Sequence, residues 1–162
     1  MKLKSFAMIQ RIQSVYLFLT TLLSFLFLKG SFLNFANKSG LLIKVTFTGI
    51  FRNDGGQAYE LIGKCIPLSI IIILIPVLCL FTIFLFKKRM IQKLLTILLI
   101  IMVAGQIIIS FYYSWHIITT FSYEIIPEYK MAYPVLMLIL IILAYLGIKK
   151  DENLIKSYDR LR

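Results

Sequence analysis

The sequence predicts an all-α membrane protein, a bundle of four transmembrane helices. Three observations predict it. Of the 162 residues 60% are hydrophobic, and mean hydropathy is +0.90, above the roughly 45–50% apolar content of soluble domains. Four apolar runs, at about residues 12–28, 66–86, 94–115 and 131–148, are each long enough to cross about 30 Å of hydrocarbon as a helix. None of them holds an Asp, Glu, Lys or Arg, and Lys130 sits just outside the last. Runs this long and continuous do not suit barrel strands, and only helices or closed barrels satisfy every backbone group in lipid.

The first run follows Lys2, Lys4 and Arg11. A basic start and an apolar centre also open a secretory signal. Its exit, "LFLKGSFLNFANKSG", has no small-x-small cleavage site, so the run is expected to remain as a span. The connection over 29–65 is the longest. "LLIKVTFTGIF" (Leu41–Phe51) is rich in β-branched residues, with Val45, Phe47 and Gly49 on one side and Lys44, Thr46 and Thr48 on the other. "NDGG" signals a turn and "QAYELIG" a return strand. The expectation is a short extracytoplasmic β-hairpin resting on the bundle, since a lone hairpin is marginal in water.

In the second run Pro67 sits at the start, where proline is tolerated, and Pro76 near the middle predicts a kink. Cys65 and Cys79 fall on this one helix, roughly 20 Å apart at 1.5 Å per residue, so they do not bridge each other. The inner loop 87–93, "KKRMIQK", makes runs two and three antiparallel neighbours. It also repeats the Met-Ile-Gln-cation entrance of Met8–Arg11. A shared side of the membrane accounts for the repeat better than duplication, because the rest of the two halves aligns poorly. Gln10 and Gln92 are read as tolerated in a wet interface.

The outer loop 116–130 follows an aromatic belt of Phe111, Tyr112, Tyr113 and Trp115, which Phe121 joins. The tail 149–162 is expected to form a cytoplasmic amphipathic helix. Leu154, Tyr158 and Leu161 share its face, Asp151 and Glu152 its start, and Arg160 and Arg162 its basic end.

A net charge of +11 invites a nucleic-acid reading, but its distribution argues against one. Lys2, Lys4, Arg11, Lys87, Lys88, Arg89, Lys93, Lys149, Lys150, Lys156, Arg160 and Arg162 lie on one side of a four-span chain. The other side has Lys29, Lys38, Lys44, Arg52, Lys64 and Lys130. The positive-inside rule then places both termini in the cytoplasm of a multi-pass inner-membrane protein.

Span interiors without ionisable groups lack the usual apparatus of a proton-coupled exporter. One histidine and two cysteines give no metal-ligand spacing. No catalytic residue, metal or cofactor is expected, and His116 with Glu124 and Glu128 is the weakest candidate. The most distinct polar feature is in the third run. Gln106, Ser110, Tyr113 and Ser114 stand at i, i+4, i+7 and i+8, on one face. One reading is interhelical glue, with Thr20, Thr21 and Ser24 as mates. The other is a polar cavity open to the outer face and shaped by Pro76. On the inner side Arg11 is expected to pair with Asp151, Glu152 or Asp159.

The entrance "MIQRIQSVYLFL" and the exit "KKDENLIKSYDRLR" resemble the domain of unknown function 4293 family, small four-span bacterial inner-membrane proteins. Met8–Gln13, Lys150–Glu152 and Asp159–Arg162 carry the resemblance. It implies that the cytoplasmic ends matter more than the span interiors, and that Met8 is the usual start. The resulting expectation is a non-enzymatic accessory or scaffold subunit of a membrane assembly. Gln10, Arg11, Gln13, Asp159, Arg160 and Arg162 would meet a membrane-protein partner or a second copy. The alternative is a small-molecule or lipid-binding transporter or channel component using the polar stripe.

Overall fold

The computed structural model describes residues 3–37, 40–53, 59–121 and 123–159. Within these, the side chains of 3–11, Lys87, Phe121 and 154–159 lie outside the description. The apolar runs form helices α1 (Leu3–Leu28), α2 (Ile66–Phe84), α3 (Arg89–Phe121) and α4 (Tyr133–Asp159). Each packs beside its chain neighbours and α1 closes the ring against α4. The bundle core holds Leu17, Ile75, Cys79, Leu99, Val103, Met137, Ile141 and Ala144.

The outward faces are as apolar as the core. Phe18, Ile70, Phe81, Leu94, Ile101 and Ile108 are 56–68% exposed. A girdle of this kind suits hydrocarbon and not water. Three helical segments, Ile66–Phe84, Arg89–Thr120 and Tyr129–Asn153, are long and apolar enough to cross a membrane. Ile12–Leu28 is a shorter apolar helix.

Several boundaries differ from the sequence reading. The expected inner loop 87–93 shrinks to a 3-10 turn, Leu85–Lys87, because α3 already starts at Arg89. Arg, Met, Gln and Lys favour helix, so the element outruns its apolar stretch. The tail is not a separate helix: α4 runs unbroken through to Asp159, since no proline follows Ile148. Asp151 and Glu152 therefore stand in mid-helix, beyond reach of an N-terminal dipole. The proposed face of Leu154, Tyr158 and Leu161 lies outside the described side chains. Pro76 is buried inside a continuous α2.

The largest difference is at the other end. Where one hairpin was expected, five strands form an antiparallel sheet, so the fold is not all-α. They are β1 (Ser31–Ala36), β2 (Leu42–Thr46), β3 (Gly49–Asn53), β4 (Glu60–Gly63) and β5 (Glu124–Ile126), in the order β4-β3-β2-β1-β5. The stretch read as one strand over 41–51 turns at Phe47-Thr48 and supplies both β2 and β3. The expected return strand is β4, paired with β3. β5 comes from the second outer connection and pairs with β1 through Asn34↔Ile126 to Ala36↔Glu124.

The sheet rests on the bundle. Phe32, Phe35, Ile43 and Val45 bury against Phe27, Leu68, Ile72 and Ile117. The rings of Phe27 and Phe32 stack at 4.9 Å. The Ser69 hydroxyl donates to the Phe47 carbonyl, tying the β2–β3 turn to α2.

Gly30 takes φ +75° at the corner from α1 to β1. Lys130 pins that corner: its ammonium donates to the carbonyls of Lys29 (3.1 Å) and Ser31 (3.2 Å) and lies 3.7 Å from the Glu128 carboxylate. Lys130→Met should lower stability by about 1–3 kcal/mol, read as an earlier thermal unfolding in detergent. An unchanged midpoint would show that the corner holds without it.

Candidate functional site

Beneath the sheet lies a cavity of about 240 Å3. One face of α3 builds its wall at helical spacing: Ile107, Ser110, Phe111, Ser114, Trp115 and Ile118. The sheet supplies Phe32, Leu33 and Ile125 as a roof, α1 supplies Phe27, and Met131, Pro134 and Val135 close the α4 side. Among the described residues none that lines it is charged, and Ser110 and Ser114 are the polar ones. Phe111 and Trp115 are 69% and 61% exposed, so the cavity opens sideways, towards the surface that faces hydrocarbon.

The four stripe residues part company here. Ser110 and Ser114 line the cavity; Ser114 donates to the Ser110 carbonyl at 2.9 Å. The Ser110 hydroxyl is buried with no partner among the described residues. Gln106, 1% exposed, lies one turn further from the sheet, beside a separate small void. Tyr113 packs into the core under the sheet, its hydroxyl within hydrogen-bond reach of Cys65. Burial pushes the Cys65 thiol up, and Tyr113 partly offsets this.

The suggested mates do not bond Gln106. Thr20, Thr21 and Ser24 donate to the carbonyls of Tyr16, Leu17 and Thr20 on their own helix. Ser24 also meets the Met137 sulfur at 3.1 Å, packing α1 on α4. Pro76 lines neither the cavity nor the void. Phe27, Phe32, Leu33 and Ile125 carry no chemical signal in the sequence. Only the folded sheet brings them over α3.

Glu128 accepts from the Asn34 amide at 2.7 Å, and His116 lies against the Tyr112 ring. Glu124 is exposed on β5. Among the described residues no three His, Cys, Asp or Glu gather as metal ligands would.

At the opposite end, where α1 begins and α4 ends, a second polar cluster closes the bundle. Gln13 is 4% exposed and donates to Asp151 Oδ2 at 2.8 Å. Lys93 pairs with Glu152 at 2.6 Å. Gln92 is also 4% exposed and donates to the Thr82 carbonyl at 3.3 Å. It is buried against a carbonyl in the last turn of α2, not left in a wet interface. The side chains of Gln10, Arg11 and Asp159, with Arg160 and Arg162, lie outside the described residues, and so does the expected pairing of Arg11.

The family model described as a domain of unknown function (DUF4293) matches residues 9–161. No curated protein and no solved structure matches the chain.

Proposed function

The chain belongs to the DUF4293 family, and from its structure we propose that it is a non-enzymatic, multi-pass inner-membrane protein that binds an apolar small molecule or lipid. The observation that carries this reading is the cavity under the sheet. Its volume of about 240 Å3 exceeds the roughly 150 Å3 that admits benzene. It falls short of the roughly 300 Å3 at which drug-sized sites begin. It therefore encloses one end of an elongated molecule, and the rest passes out between Phe111 and Trp115 into the lipid.

Sidedness supports the placement. With α1 also spanning, the cations of the termini and of the α2–α3 turn share one end of the bundle. The positive-inside rule makes that end cytoplasmic and puts the sheet and cavity at the outer leaflet. Glu128 and Lys130, in the connection after β5, are engaged with Asn34 and with the α1–β1 corner, which favours binding over chemistry.

The test is to purify the protein from its native membrane in mild detergent, extract it and identify small molecules by mass spectrometry. A near-stoichiometric apolar molecule is expected. Extracts holding only bulk phospholipid in membrane proportions would oppose the reading.

A second reading, an accessory or scaffold subunit, is favoured by one feature. Both α1 and α4 continue past the Gln13–Asp151 contact, by about ten and eight residues. This neighbouring pair carries Gln10, Arg11 and Asp159 into the cytoplasm. A stoichiometric protein partner, lost when the chain is cut after Asn153, would support that role.

A further inference from the structure

We propose that the ligand carries one uncharged hydrogen-bonding group, a carbonyl or hydroxyl on an apolar body, and that Gln106, one helical turn beyond the cavity lining, recognises it. The inference rests on the cavity reading above. Both amide atoms of Gln106 are buried, and neither has a partner among the described residues. An unpaired amide in an apolar interior is unfavourable by about 1–3 kcal/mol. Methionine would fill the same space without that cost, so the amide calls for a partner.

A water does not supply it. The void beside Gln106, bordered by Ser24, Phe27, Ile72, Ile75 and Met137, is too small to hold one. Phe27 borders both the void and the cavity, so its side chain is shared by the space beside the amide and the space under the sheet. Ser110, one helical turn towards the sheet, presents a second buried polar group without a partner among the described residues, its hydroxyl. Two unpaired polar groups thus mark a line from the cavity to mid-helix, and binding requires the Phe27 ring to turn aside between them. A carbonyl there accepts from Gln106 Nε2; a hydroxyl donates to Oε1. A carboxylate or phosphate is disfavoured, because the lining offers no counter-charge for a desolvated anion.

Trp115, the chain's one tryptophan, lines the cavity and reports on it. The probe is 1-bromododecane, whose bromine quenches indole fluorescence. It is displaced by 2-dodecanone or by dodecane, each counted as mole fraction in the micelle. Wild type should favour the ketone about tenfold, the worth of one hydrogen bond in an apolar site. Gln106→Met should show no preference. Equal displacement in wild type, or a preference that persists in Gln106→Met, overturns the proposal and leaves the cavity reading standing. Bromododecane that never saturates overturns both. Thermal unfolding is the independent readout. Gln106→Met and Gln106→Leu should each raise the midpoint of the ligand-free protein, since each removes an unpaired amide. A fall in both makes Gln106 a packing residue and overturns the proposal.

Discussion

Ser110→Phe should abolish ligand binding while making the ligand-free protein more stable. The benzene-sized ring fits a space of about 240 Å3 and occupies the volume the ligand needs. The substitution removes a buried hydroxyl with no partner, a relief of about 1–3 kcal/mol. It also gives Phe27, Phe32 and Ile118 atoms to touch across a gap, and such contacts drive helix association in lipid. The Ser114 bond survives because it uses the Ser110 backbone carbonyl. In wild type, a saturating apolar ligand at about 100 times its Kd should add about 2.7 kcal/mol. Ser110→Phe should start higher and gain nothing. A variant that is less stable and still responds to ligand would place the binding elsewhere.

Gly147→Ala should destabilise the bundle by about 2–3 kcal/mol, although alanine in a helix ordinarily gains about 1 kcal/mol over glycine. A Cβ at Gly147 would lie 2.8 Å from Gln13 Cγ and 3.2 Å from its Nε2. Relief requires Gln13 to move, and its amide is the donor to the buried Asp151 carboxylate. The other oxygen of Asp151 already lacks a partner among the described residues. A hydrogen bond to a charged group contributes about 1.5–3 kcal/mol, and losing it strands the charge. In a Gln13→Ala background the clash disappears, so Gly147→Ala should then cost nothing or stabilise. Additive effects of the two substitutions on thermal unfolding would dissolve the argument for this contact.

The helices were legible because each is a long run without charge, and length alone decides that the backbone must close on itself in lipid. The sheet was half legible. Leu41–Phe51 alternates, and Asn53–Gly56 marks a turn, which found β3 and β4. β1 was hidden because "SFLNFA" follows a span and reads as its exit; a register shift between Ser31 and Leu33 spoils its alternation. β5 has three residues and pairs with a strand about ninety positions earlier, a contact that no local pattern encodes.

The stripe on α3 was legible as a helical face. What the face meets was not, because the roof comes from β1 and β5. The buried role of Gln92 was missed for a different reason. Hydropathy marks it as an edge residue, whereas the structure buries it against a carbonyl in the last turn of α2. Gln13 and Asp151 stood in the two stretches that carried the family resemblance, and the structure joins them across the bundle. Two of the residues on which the resemblance rests thus form an internal fastening of the bundle.

The most direct test of the central claim is a titration of the purified protein with 1-bromododecane, following Trp115 fluorescence. Quenching should saturate at one molecule per chain in wild type and fall to a weak linear component in Ser110→Phe. Linear, unsaturable quenching of equal slope in both proteins would mean that Trp115 meets only bulk hydrocarbon, and would contradict a binding cavity beneath the sheet.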